Sequence, residues 1–348
     1  VNFLGRDHRR HIVLLAAVLL AIAGALVAIS VGAVAIPLRI LPALLLSGPE
    51  GADGAGAVLW AIRLPRVLLA LLVGATLAVA GAALQGVFRN PLADPALIGV
   101  SSGASLGAAL CLVLGPRLMG SASAPVLSWV LPVVAFGGAL LATLCVLAAA
   151  SSPGRRDIVT MLLTGIAVTA LAQAGTGLLV TVATDAQLRS LSFWTLGSLG
   201  GATWETLVPA AVPMLLALVV LPRYAASLDL LLLGDAEAAH LGIRVTRVTT
   251  QVIVLAALGV GAAVAASGLI GFVGLVVPHA VRLVLGPSHR GVLPVGMALG
   301  AAVLVIADTV ARTVVAPIEL PIGVVTALLG APLFLWMVVQ RRDHEVTA

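Results

Sequence analysis

Long apolar runs, separated by short polar or glycine- and proline-bearing segments, fill this chain from end to end. A helix needs about 20 apolar residues to cross a hydrocarbon core, with about 17–25 usual. Against that length ten runs qualify, near residues 12–35, 64–87, 96–115, 125–150, 158–183, 205–222, 247–267, 271–286, 292–311 and 321–340. The eighth is short and holds Pro278, which predicts a segment that tilts, breaks or crosses only in part. Glycine falls every fourth residue at Gly99, Gly103 and Gly107, and again at Gly296 and Gly300. Small residues at that spacing let helix backbones approach closely in lipid.

Two connections are too long and too patterned for plain turns. Residues 184–204 contain a short amphipathic stretch, Leu188 to Leu196, suited to lying along a membrane surface. Residues 223–246 combine an apolar turn, Leu230 to Leu233, with Gly234, Asp235, Glu237 and His240. That mixture predicts docking onto a soluble partner. The first run raises the question of a signal peptide, because Arg6, Arg9 and Arg10 precede it and Ala33-Val34-Ala35 resembles a cleavage site. It extends from Ile12 to Ile36, 25 residues, against about 7–15 for a signal core. It is read as a retained span.

Composition turns the pattern into a class. Of 348 residues 61% are apolar and only 9% charged, with a mean hydropathy of +1.19, whereas a soluble chain carries roughly a quarter charged residues. The expected fold is an all-α integral membrane protein with ten transmembrane helices, organised as one domain over residues 1–348. All 19 side chains counted as lysine or arginine are arginine. Without lysine there is no Walker A phosphate loop, no Schiff-base chemistry and no lysine-dependent acyl transfer. The arginines stand in ones and twos between apolar runs, so they read as topology signals and not as a nucleic-acid surface. With the N-terminus inside and ten spans, both termini are cytoplasmic. Thirteen arginines then fall inside, and Arg39, Arg63, Arg66, Arg117, Arg189 and Arg312 fall outside, which satisfies the positive-inside rule. Cys111 and Cys145 sit in apolar runs far apart, as buried small hydrophobes do.

Candidate chemistry is sparse. Gly99-Val100-Ser101-Ser102-Gly103 matches the nucleophile-elbow pattern, and His279 and Asp308 would complete a triad on paper. The elbow needs a strand-to-helix turn, whereas this one lies in a glycine-rich apolar run, where helix packing explains it. Neither H-E-x-x-H nor C-x-x-C occurs, so no metal or catalytic site is expected. An ion-coupled carrier would need an intramembrane carboxylate. Of the candidates, Asp94 lies in a loop, while Asp308 and Glu319 flank the turn between runs nine and ten, Asp308 within a helical turn of Arg312. Charge pairing near a helix end is the reading for these two. With neither a phosphate loop nor an evident ion carrier, the energy source belongs on another chain, which would bind at residues 228–244.

Longer motifs carry a resemblance. Arg63-Leu64-Pro65-Arg66, residues 74–108 (GATLAVAGAALQGVFRNPLADPALIGVSSGASLGA), residues 268–290 (GLIGFVGLVVPHAVRLVLGPSHR), ADTVAR at 307–312 and ELPIGVVTALLGAPLF at 319–334 resemble the permease subunits of type II ABC importers, the family that imports iron–siderophore complexes, haem and cobalamin. The resemblance runs from about residue 57 to the C-terminus. It implies a vitamin B12-importer-type permease fold in the bacterial inner membrane, paired as a homodimer. It also implies two ATPase subunits on the cytoplasmic side that hold ATP and Mg, and a periplasmic substrate-binding protein on the other face. No cofactor and no nucleic acid is implied for this chain.

Carried over by position, Arg63, Arg66 and Arg312 match arginines that receive acidic residues of the binding protein; snorkelling to headgroups is their other use. Gly234, Asp235, Glu237, Ala238, Leu241 and Gly242 match the helices that couple to the ATPase. Arg156, Asp157, Ile158 and Val159 match an inner gate. Spans five and ten and the helix near 188–196 match the pathway walls at the dimer axis, where Met161 is the candidate soft ligand. The segment 184–204 looks most like haem-importing members, with siderophore and cobalamin as alternatives. Haem iron is normally held by His, Cys, Met or Tyr, yet all six histidines and Tyr224 fall on the predicted cytoplasmic side. A conduit, however, must bind weakly enough to release. An ion-coupled secondary transporter and an intramembrane serine hydrolase are the readings from other classes.

Overall fold

The computed structural model describes residues 3–32, 34–49, 54–119, 123–152 and 155–346, with side chains for all of these except 3–7, 119, 123–128, 151–152, 155–156 and 337–346. In chain order the helices are α1 (Phe3–Ser30), α2 (Leu41–Leu46), α3 (Ala55–Val58), α4 (Leu64–Val87), α5 (Val100–Met119), α6 (Ser123–Ala149), α7 (Ile158–Thr181) and α8 (Asp185–Leu196). They continue with α9 (Trp204–Val220), α10 (Ala225–Leu231), α11 (Asp235–His240), α12 (Val245–Ser267), α13 (Val273–Leu285), α14 (His289–Thr313) and α15 (Ile322–Val346). A two-residue antiparallel ladder, β1 (Ser151–Ser152) on β2 (Arg155–Arg156), lies between α6 and α7.

Among the described residues eight helical segments are long and apolar enough to cross a membrane, and two shorter apolar helices, Val273–Leu285 and Ile322–Trp336, bring the number to ten. They coincide with the ten runs of the hydropathy pattern to within a few residues, except at three places, one of them the sixth, which runs on from α9 through α10 to Leu231. The first helix begins at Phe3 and takes in the polar residues before the apolar run. The second starts at Ala55, because α3 passes through one π-helical turn, Leu59–Arg63, straight into α4. Pro65 lacks the N–H a helix interior needs. The widened turn just before it absorbs that missing bond.

The centre of the bundle is α4. In its most apolar stretch 83% of residues are buried, against 17% in α1 and in α7, so α4 is the hub and the other two lie at the periphery. It packs on α14, α12, α13 and α9. Bare backbone makes those contacts close: a methyl added at Gly74 would stand 2.2 Å from the Gly300 carbonyl oxygen of α14, and one at Gly81 would stand 1.9 Å from the Gly274 carbonyl oxygen of α13. Lipid tails are as apolar as the helices, so dispersion at such approaches, and not expulsion from water, holds them together.

The bundle has two polar ends, named here by a residue. At the Arg66 end the last turn of α1, the first of α4, the last of α14 and the chain leading into α15 meet. At the His289 end the chain after α4, the short helices α10 and α11, and the first turn of α14 meet.

Gly81→Ala is expected to lower stability by about 1–3 kcal/mol through overpacking, read as a lower thermal midpoint in detergent. Gly137→Ala, where a methyl meets nothing within 4 Å, is expected to stay within about 0.5 kcal/mol. Equal effects at the two positions would contradict the close approach.

Candidate functional site

At the Arg66 end three guanidinium groups converge. Arg66, in the first turn of α4, donates from Nε to both oxygens of Asp308 at 3.1 and 3.0 Å and from Nη2 to Asp308 Oδ1 at 2.9 Å. The same guanidinium reaches Glu319, with Nη1 to Oε1 at 2.9 Å and Nη2 to Oε2 at 3.0 Å. One planar fork thus joins α4, α14 and the segment before α15 through charge-assisted bonds. Arg63 turns the other way. Its Nη1 donates to the carbonyls of Ala28 and Ile29 at 3.3 and 2.7 Å and to that of Val31, and its Nη2 to Val34 at 2.7 Å. Ala28 and Ile29 are acceptors that the end of α1 leaves without intrahelical partners, and Val31 and Val34 lie in the chain just beyond it. Arg312 donates to Ala28 O, with its Nε 3.7 Å from Asp308 Oδ2.

The sequence reading had these three arginines facing a partner as docking charges. In the structure Arg63 and Arg66 are 5% and 8% exposed, and all three guanidinium groups are engaged by groups of the same chain. A desolvated cation at the edge of a bilayer requires its own acceptors, and this chain supplies two carboxylates and a row of carbonyls. The three arginines and Glu319 still line a cavity of about 590 Å3. Asp308 pairs with Arg312 as the sequence suggested, but its main partner is Arg66.

At the His289 end α11 is a single six-residue helix between Gly234 (φ 112°) and Gly242 (φ 88°). These left-handed conformations suit glycine and let the helix project from the bundle. Ala238 is its buried anchor, and Leu241 is 58% exposed, with Leu232, Leu233 and Glu237 exposed beside it. Asp235 pairs with Arg89 at 3.2 Å. Three leucines left in the open beside charged groups form a surface patch of the kind that marks a protein contact. In α10, Asp229 accepts from Ser288 Oγ at 2.8 Å and from the His289 backbone N–H at 2.7 Å. Nothing local in the sequence singled out Asp229, Arg89 or His289, whose partners lie far along the chain.

Of the gate residues, Asp157 caps α7 by accepting from Val159 N and Thr160 N at 3.3 and 3.1 Å; Ile158 is half-buried and Val159 exposed. The side chain of Arg156 lies outside the described residues. Met161, the pathway candidate, is 0% exposed on the buried side of α7, while Val159, Leu163 and Ile166 are exposed. Its flexible thioether is core filling. The outer layer of α7, α8 and α15 carries exposed Leu171, Leu178, Phe193, Leu328 and Leu329.

The hydrolase constellation does not assemble. Ser101, the serine of the pattern, lies in the first turn of α5 and not on a strand-to-helix turn, and Asp308 is held by Arg66. The carboxylates weighed as ion carriers are also committed: Asp94 accepts from Ala96 N at 2.8 Å, while Asp308 and Glu319 share Arg66. Among the described residues no group of three His, Cys, Asp or Glu side chains could hold a metal ion.

Arg66→Ala is expected to cost about 3–5 kcal/mol, because it strands a buried carboxylate; the Asp308 side chain is only 3% exposed. Removing Asp308 as well should recover part of that loss in a double-mutant cycle. The bonded Arg66 guanidinium holds the Glu319 carboxyl below its ordinary value. Glu319 therefore stabilises the fold above the unfolded value near pH ~4.3, and this contribution disappears as the pH falls through the depressed one. The difference in unfolding midpoint between the native chain and Glu319→Gln should be flat above that value and vanish in acid; a pH-independent difference would contradict the assignment.

Comparison with known proteins agrees with this architecture. The model of the FecCD transport family matches residues 11–340. The hemin transport system permease protein HmuU of Yersinia pestis is 47% identical over 286 residues, covering 82% of this chain and 84% of that one. The cobalamin import system permease protein BtuC of Halobacterium salinarum is 43% identical, covering 85% and 76%. The Fe(3+) dicitrate transport system permease protein FecD of Escherichia coli is 41% identical, covering 93% and 97%. A solved chain assigned to the metal-chelate type of ABC transporter, in an inward-facing conformation, superposes with a TM-score of 0.80 at 34% identity, covering 94% of this chain and 98% of that one. The ten-segment helical bundle, its central glycine-packed helix and the family match lead to one conclusion: this chain belongs to the FecCD transport family and is a multi-pass permease subunit of an ABC importer.

Proposed function

We propose that this permease moves a haem-like iron complex from periplasm to cytoplasm, by alternating access at the interface of a homodimer in the bacterial inner membrane. The His289 end and both termini face the cytoplasm. Two ATPase subunits, which carry the ATP and Mg, seat α11 in a groove, and a periplasmic substrate-binding protein docks on the Arg66 end. In that role the arginine clasp fixes the shape of the docking platform, and the three arginines reach the partner through its rim and not as free charges.

The observation that carries the reading is the exposed, glycine-bounded α11 with Leu232, Leu233 and Leu241 in the open. An element of this kind has no use in a carrier that works alone, and it would transmit the closure of an ATPase as a rigid-body displacement. The homodimer reading is supported by the exposed apolar side chains of α7 and α15, which give a second copy a broad surface to pack against. The haem preference rests on the 47% identity to the hemin permease against 43% and 41% to the cobalamin and ferric dicitrate ones. Ferric siderophore and cobalamin are the alternative cargoes of the same mechanism. The rival class, an ion-coupled carrier, is disfavoured by the commitment of Asp308 and Glu319 to Arg66.

The test is co-purification with a partner ATPase, followed by uptake of haem, ferric siderophore and cobalamin into proteoliposomes. ATP-dependent uptake of haem, insensitive to an uncoupler, is expected. Uptake of a different cargo with ATP would replace haem and keep the mechanism. Uptake without the ATPase, abolished by the uncoupler, would overturn the mechanism itself.

A further inference from the structure

Beside the exposed α11 lies α10, which packs on α4 and α14 and is tied to the first turn of α14 by a cluster of hydrogen bonds. The Asp229 carboxylate accepts three hydrogen bonds there: from the His289 backbone N–H at 2.7 Å and from Ser288 Oγ at 2.8 Å, while His289 Nδ1 lies 2.8 Å from Oδ1. A carboxylate only accepts, so the ring donates through Nδ1–H. Ser288 occupies the N-cap position of α14 but makes no side-chain bond to its own helix. A residue from a different helix therefore supplies the cap that α14 lacks, with a negative charge at its positive end.

The surroundings make this a rigid joint. The His289 ring is 1% exposed and stands against α4 so tightly that a methyl at Gly86 would fall 2.6 Å from Nε2, with Leu228 Cδ2 3.2 Å from the same point. A second tie, Asp235 to Arg89 at 3.2 Å, holds the first residue of α11 to the chain leaving α4. Both receiving helices run on to the opposite end of the bundle, where Arg66 of α4 clasps Asp308 of α14. Between the two ends they touch backbone to backbone at Gly74 and Gly300.

We propose that Asp229 is a positioning residue that transmits displacement of α11 to α14, and through the paired α4 and α14 to the Arg66 end. The α4–α14 pair then acts as the stiff member linking ATP hydrolysis beneath the permease to the opposite face, separately from the apolar outer layer of α7 and α15. This rests on the reading of α11 as the helix that docks on the ATPase. Loss of the joint should uncouple the machine without dismantling it: the ATPase still binds α11 and turns over, but the bundle no longer follows.

The experiment measures cargo moved per ATP hydrolysed in proteoliposomes holding the full permease and its ATPase, for the native chain, Asp229→Ala, Asp229→Asn and Ser288→Ala. For Asp229→Ala the ratio is expected to fall about tenfold, the loss of a charge-assisted bond set, with ATP hydrolysis and co-purification held. Ser288→Ala, which deletes one of the three bonds, should fall less. Asp229→Asn keeps the size and one acceptor, so it should lie between them, and these two variants carry the test if the alanine variant does not fold. An unchanged ratio in all variants overturns the proposal. So does a parallel loss of hydrolysis, assembly and transport, which marks a merely structural residue. If the native chain shows no ATP-driven transport, the fault lies in the functional reading and not in the joint.

Discussion

Much of this structure depends on the backbone-to-backbone packing of α4. With glycine at 74 and 81, the hub helix approaches α14 and α13 to distances no other residue permits. That approach puts the two ends of α4 where they are needed. Its first turn presents Arg66 to Asp308, and beyond its last turn Arg89 meets Asp235. Had α4 and α14 been held apart by ordinary side chains, the joint between Arg66 and Asp308 would not close.

Among the described residues the buried guanidinium groups find partners within the chain, while Arg312 Nε, His289 Nε2 and the Ser30 and Thr76 hydroxyls lack a hydrogen-bond partner. Arg66 is answered by two carboxylates, Arg63 by the carbonyls that α1 leaves open, and Arg282 by Gln85. In a low-dielectric setting an unanswered charge is very costly, which explains why arginines at a span end turn inward when carboxylates are within reach. Joints between helices distant in sequence form as a result, and they divide the molecule into a stiff centre and an apolar periphery.

The ten segments were legible in the sequence because hydropathy acts locally and along one run at a time. The exposed helix was legible too, since Gly234 and Gly242 mark its limits. The starting turn of α8 follows from Thr184 and Gln187, which bond reciprocally. What could not be read were contacts over long separations: Arg66 meets partners 242 and 253 positions away, and His289 meets Asp229 60 positions back. The intrachain partners of Arg63 were hidden for another reason. Its acceptors are carbonyl groups, which leave no mark on residue identity. Met161 sat in the expected helix but on its inner side, because the smooth apolar pattern of α7 does not distinguish one face from another.

The central claim is that α4 and α14 move as one body while the periphery rearranges. Pulsed spin-label distances test it directly in the reconstituted transporter, with labels at the exposed positions Leu68 and Val310 for the pair and at exposed Leu163 on α7 of the two protomers. Adding ATP and Mg should leave the Leu68–Val310 distance unchanged and shift the Leu163 distance between protomers. A change within the α4–α14 pair as large as that between the α7 helices would contradict the account.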